Sequence, residues 1–126
     1  MGMIIDLQNE LNELSLLADT YTASVNGSGV DLQGYQGKLK VMLNSGAGGG
    51  ADHSLDVKLQ ESADNAAWSD ISGAAFTQVT NAGASLQSLA VDTRGVKRYI
   101  RAVATIAGTS PSFGFAVTAV GQKQIR

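Results

Sequence analysis

Apolar and polar residues alternate most cleanly over Ser54–Ser62, where Leu55, Val57 and Leu59 are interleaved with Asp56, Lys58 and Gln60. A period of two puts the apolar side chains on one side of an extended chain and the polar ones on the other, which predicts a strand with one buried and one wet face. Asp64-Asn65 interrupts the pattern with two residues that bond their own backbone and tolerate turn dihedrals. Trp68, the single tryptophan, restarts it. Trp68 and Ile71 are expected to fold back onto the face of Leu55, Val57 and Leu59.

The alternation recurs along the chain. Leu39, Val41 and Leu43 point one way and Lys38 and Lys40 the other. Leu86, Leu89 and Val91 mark another strand, Arg98–Ile106 a long one, and Phe113, Phe115, Val117 and Ala119 line one face of the last. Tyr21–Val25, Gly29–Gln33 and Phe76–Val79 are shorter pieces. Asn26-Gly27, Thr80–Gly83, Asp92–Gly95 and Gly108–Pro111 carry turn chemistry. About eight short strands at near-regular spacing, with connections too short for parallel crossovers, predict an all-β, two-sheet antiparallel sandwich, a jelly roll being the expected form. Leu39, Val41, Leu55, Val57, Leu59, Phe113, Phe115 and Val117 are expected to fill its core.

The first seventeen residues read differently. Ile4, Leu7, Leu11 and Leu14 recur at helical spacing among Asn9, Glu10, Asn12 and Glu13, which fits the stripe of an amphipathic helix. So short a helix is marginal in water unless it docks, whether its stripe packs on its own domain or reaches a neighbour, and an extended arm is the third possibility. The expected division is therefore an arm or helix at 1–18, a sandwich at 19–121 and a polar tail at 122–126. The sandwich strands already hold enough apolar residues for a core, which leaves the stripe for a neighbouring molecule. On that reading, deleting residues 1–17 leaves a folded β domain.

Composition narrows the picture. A chain of 126 residues is one domain by length and can bury roughly two thirds of its unfolded surface. Charged residues are 16%, against ~25% in ordinary soluble domains, and such a weakly repelling surface suits assembly. A formal net charge of −2 argues against binding nucleic acid by phosphate neutralisation. Without cysteine there is no disulfide framework and no thiolate metal site. No basic-then-apolar leader pattern opens the sequence, and no apolar run is long enough to cross a membrane as a helix, so neither a secretory leader nor a membrane partner is expected.

Candidate chemistry is sparse. Gly46–Gly50 lacks the Lys and Ser or Thr that a phosphate loop needs after its last glycine, and reads as a loop between strands. His53, the single histidine, has no evident partner motif and reads as a solvated loop residue. Asp64, Asn65 and Asp70 could offer oxygen ligands to calcium, but turn formation explains them better. Trp68 could stack on a sugar, though core packing is the expected role. Arg94, Lys97, Arg98 and Arg101 form a local positive cluster that Lys38 and Lys40 could join from a neighbouring strand, either as a solvated face or as a docking patch. There is no Ser–His–Asp pattern, carboxylate pair or metal cluster, so no catalytic, cofactor-binding or metal role is assigned. The candidate assembly contacts are Ile4, Leu7, Leu11, Leu14, Lys38, Lys40, Arg98 and Arg101.

The run Tyr21-Thr-Ala-Ser-Val-Asn-Gly-Ser-Gly-Val-Asp-Leu-Gln-Gly-Tyr35, then Val57-Lys-Leu-Gln-Glu-Ser-Ala-Asp-Asn65 with Trp68, then Lys97-Arg-Tyr-Ile-Arg101 resembles a family of small β-sandwich proteins encoded among the head genes of tailed bacteriophages and gene transfer agents. The resemblance covers about Tyr21 to Gly121 and rests on structural motifs. It implies a virion component, a capsid decoration, cement or head-spike-base protein, made in the host cytoplasm and placed on the capsid surface. The implied partners are the major capsid protein and further copies of the chain, a trimer first and a pentamer second. Two other functional classes remain open. A glycan-binding module displayed on a virion would present an exposed Trp68 or Tyr35, and a small hydrolase would need an acid and a nucleophile beside His53.

Overall fold

The computed structural model describes residues 11–123, and they form strands and turns only. Ten strands follow in order: β1 (Leu11–Tyr21), β2 (Val25–Asn26), β3 (Val30–Asp31), β4 (Tyr35–Ser45), β5 (Ser54–Ser62), β6 (Ser69–Ala75), β7 (Val79–Thr80), β8 (Ser85–Asp92), β9 (Tyr99–Ala107) and β10 (Phe113–Lys123). One sheet, here sheet A, runs β1-β10-β4-β8. The other, sheet B, runs β2-β9-β5-β6, with β3 beside β9 and β7 beside β5. All pairings are antiparallel. First and last strands pair, β2 and β3 pair β9, β4 pairs β8, and β5 pairs β6 and β7, so the pairs nest as in one long hairpin rolled into two layers.

The alternation read from the sequence sets the inner faces. Leu39, Val41 and Leu43 of β4, Leu55, Val57 and Leu59 of β5, Ile100, Ala102, Ala104 and Ile106 of β9 and Phe113, Phe115, Val117 and Ala119 of β10 are all buried. Each strand contributes every second residue, so the two sheets enclose a single apolar layer. Ile71 packs against this layer as expected.

The helical reading fails over residues 11–17, which lie in β1 and pair with β10. The register slips between Ser15 and Leu17, and the extra residue leaves both Leu16 and Leu17 buried. A β-bulge offsets the period-two pattern by one residue, so Leu14 and Leu17, three apart, both contribute to the core. The stripe Ile4, Leu7, Leu11 and Leu14 lies wholly ahead of this slip, so its helical spacing is no product of the bulge; over 11–17 the pairing with β10 overrides it. The sandwich begins no later than Leu11, upstream of the expected boundary at 18/19. Ile4 and Leu7 lie outside the described residues.

Gly27 locks this edge to sheet B. Its N–H donates to the carbonyl of Ala102 at 2.7 Å. A β-carbon there would stand 2.7 Å from the Leu16 carbonyl oxygen and 3.0 Å from that of Ala102, so the bulge in β1 and the strand β9 approach each other only over a glycine.

Candidate functional site

Three polar constellations carry the residues singled out from the sequence. The first surrounds His53, which is buried rather than solvated, at 7% exposure. Its Nδ1 accepts from the N–H of Gly49 and of Gly50, both at 3.1 Å, and its Nε2 lies 2.9 Å from the carbonyl of Thr109. Two donors at Nδ1 and an acceptor at Nε2 select the neutral ring with its proton on Nε2. Asp52 completes the tie by accepting from both the N–H and the hydroxyl of Thr109, and these bonds hold its carboxyl below the usual range. A β-carbon on Gly48 would meet the β-carbon of His53 and the Phe113 ring, each at 2.8 Å. The glycine-rich loop is thus wrapped on an imidazole and fastened to the β9–β10 turn. Both ring nitrogens are occupied by backbone, which leaves neither for proton transfer.

The second constellation lies on the outward face of sheet B. Arg101 sits between the buried Ile100 and Ala102 and so points out. Its guanidinium stacks on the Trp68 ring at 4.6 Å and donates twice to the Gln60 carbonyl, at 2.7 and 3.0 Å. The Gln60 amide passes the polarity on by donating to Asp70 at 2.8 Å, and Asp70 also accepts from Lys58 at 3.0 Å. The Gln60 and Lys58 bonds draw the Asp70 carboxyl down from its usual range. Trp68 therefore packs half-buried against an outward arginine and not onto the face of Leu55, Val57 and Leu59. The chain between β5 and β6 carries it to the other side: Asn65 takes a left-handed φ of 61°, and Asp64 accepts from Ser62, Ala66 and Ala67. These bonds depress the Asp64 carboxyl. Turn formation thus accounts for Asp64 and Asn65, and among the described residues no three acidic or histidine side chains converge as metal ligands.

The third concerns the basic residues. Arg98 forms a two-pronged pair with Asp31 at 3.0 and 2.8 Å, which lowers the Asp31 carboxyl to about 2. Arg94 lies 3.7 Å from Asp92. Lys38 and Lys40 are exposed on β4, in the other sheet. The expected patch of Lys38, Lys40, Arg98 and Arg101 is therefore split: the lysines face out from sheet A, Arg101 from sheet B, and both arginines are engaged within the molecule. Lys38 and Lys40 make no side-chain hydrogen bond or ion pair among the described residues. Of the apolar candidates, Leu11 and Leu14 fall on β1, and Leu14 packs against the sandwich's own core.

No protein-family model and no curated protein matches the sequence. In fold the chain is similar to the SPBc2 prophage-derived protein YomS, with a TM-score of 0.58 over 90% of this chain and 94% of that one, at 12% identity. The likeness is one of fold.

One feature escaped the sequence reading. Tyr35, Gln36, Gly37, Thr93, Arg94 and Gln122 line a groove of about 550 Å³ at one end of sheet A. It forms where β4 and β10 slip register between Val120 and Gln122 and where Thr93 bonds the Gly37 carbonyl through its N–H and its hydroxyl. These residues are far apart in the chain and share no periodic pattern. Tyr35 between two glycines was the signal available.

Proposed function

We propose that this chain is a structural virion protein of a tailed bacteriophage that binds the capsid shell as a decoration, cement or head-associated subunit. The observation that carries the reading is the fold likeness to a prophage-derived protein along nearly the whole of both chains, in agreement with the head-protein resemblance of Tyr21–Gly121. The rolled hairpin, with β2 and β3 counted as one interrupted strand and β6 and β7 as another, supports reading the sandwich as a jelly roll, a fold recurrent in viral capsid domains. The use of polar side chains supports a structural role: His53, Asp52, Asp64, Arg98 and Arg101 each fasten one segment of the chain to another. The mechanism is burial. A subunit that binds only assembled shell stabilises the shell by mass action, as any ligand of a native state does. The test is purification of mature heads from the encoding phage. The reading expects the chain to sediment with heads at a fixed ratio to the shell protein, and heads lacking the chain would overturn it.

The Tyr35 groove favours a second reading, a glycan-binding module on the virion. It joins an aromatic face to amide, hydroxyl and guanidinium groups, the set that holds a sugar ring. Binding to a glycan array that disappears in Tyr35→Ala would support this reading over the first.

A further inference from the structure

A sandwich has four sheet edges, and each presents unpaired backbone N–H and C=O groups that can recruit another strand. Three of the four are blunted here. At one edge of sheet B, β2 and β3 are two residues each and interrupted. At the other, β7 has two residues and β6 shifts register against β5 around Gly73, whose φ is +77°. The β1 edge of sheet A is bent by the bulge at Ser15/Leu17 and carries the exposed acids Glu13 and Asp19.

The fourth edge, β8, has none of these devices. It pairs with β4 residue for residue from Ser85↔Ser45 to Asp92↔Lys38 without a slip, so it is straight. From Ser85 to Val91 it holds no charge, no proline and no glycine. Among the described residues no main-chain hydrogen bond reaches this run from the side away from β4. The contact it makes there is through the Gln87 side chain, which accepts from the Thr77 N–H and donates to its carbonyl. Leu86 on this strand is 75% exposed, the large apolar side chain left in water among the described residues.

We propose that β8 pairs antiparallel with β8 of a second copy of this chain about a two-fold axis through Ser88, joining the two A sheets into one. The occupant follows from self-complementarity. The uncharged run Ser85–Val91 is centred on Ser88, so this register uses the whole run and leaves the two Asp92 carboxylates at opposite ends. It sets the exposed Leu86 of each copy opposite the small Ala90 of the other, on the same outward face. An isologous contact of this kind closes as a dimer and exposes no further β8 edge.

The chain has no cysteine, so a single introduced thiol reports the register. In an antiparallel pair, directly opposed β-carbons stand roughly 4.5–5.5 Å apart, and the axis places Ser88 opposite itself. Ser88→Cys is expected to oxidise to a covalent dimer, while Leu86→Cys, whose mate is Ala90, and Ser15→Cys on β1 stay uncrosslinked. Light scattering of the unmodified chain is expected to give twice the monomer mass. Ser88→Lys, which opposes two like charges at the axis, is expected to raise the dimer dissociation constant at least tenfold with the melting of the monomer unchanged. A monomer at high concentration, a trimer or pentamer, or crosslinking through Ser15→Cys in place of Ser88→Cys would each overturn the proposal.

Discussion

The outward faces of the two sheets are built on opposite principles. On sheet B, long polar side chains reach one another: Trp68, Arg101, Gln60, Asp70 and Lys58 form one connected row, with Arg98–Asp31 beyond it. On sheet A, Lys38 and Lys40 form no ion pair among the described residues. Asp92, opposite Lys38 in register, bonds the backbone N–H of Arg94 and lies 3.7 Å from its side chain instead. Lys40 stands between Ala90 and Val120, and Met42, next on the same face, stands between Ser88 and Thr118. A face whose polar groups satisfy each other has little to gain from a partner. Lysines without an internal partner are free to pair with carboxylates of another molecule, whereas covering them unpaired would cost their desolvation. If the chain is the assembly subunit proposed above, the contrast predicts that it presents sheet A to its partners.

The largest expected effect tests whether β1 is part of sheet A or an appendage. Leu16 and Leu17 are each buried, worth about 1.5–3 kcal/mol apiece, and removing β1 also strips β10 of its partner. Deleting residues 1–17 should therefore abolish the cooperative thermal transition. A truncated chain that melts like the parent would return those residues to an arm.

Next come the two sides of one strand. Val57→Ala should cost on the order of 1–3 kcal/mol and Lys58→Ala well under 1, read as shifts in the urea midpoint. Equal shifts would mean that the inner and outer faces are misassigned. Smaller still is the contrast between the outer faces themselves. Arg101→Ala removes a cation–π contact and the anchor of Gln60, for a loss of about 0.5–1 kcal/mol, while Lys40→Ala should leave stability unchanged. A loss at Lys40 to match would erase the distinction between the faces.

The weakest effect is titrational. Arg98 holds the Asp31 carboxyl at about 2 instead of 3.8, and Asp52, Asp64 and Asp70 are displaced the same way. As pH falls through the ordinary carboxylate range, the unfolded chain takes up protons first, so the unfolded state gains. The stabilisation is complete above that range and is lost as pH falls from 3.8 towards 2 at Asp31. Melting temperature should decline over that window, less steeply in Asp31→Asn and in high salt.

What the sequence made legible follows from range. Period-two alternation is local, and it marked β4, β5, β9 and β10 and the eight residues expected at the core, all of them buried. It misled at β1 because leucines spaced three and four apart fit a helix locally, while the partner that makes the segment a strand, β10, lies at the other end of the chain. It misplaced Trp68 because the turn through Asn65, not the strand pattern, decides which side of sheet B the ring reaches. It could not see His53 as buried, since the Thr109 carbonyl that holds it is 56 residues away. Nor could it foresee that Arg98 is matched by Asp31, 67 residues distant.

The account stands or falls on which face is covered in the assembled particle. Lys40→Cys and Lys58→Cys each place one thiol in a chain without others, on sheet A and on sheet B. The measurement is maleimide labelling of each variant in solution and on purified heads. Both should label fully in solution, and on heads Lys40→Cys should be protected while Lys58→Cys still reacts. Protection of Lys58→Cys with Lys40→Cys left open, or heads that carry neither variant, would contradict it.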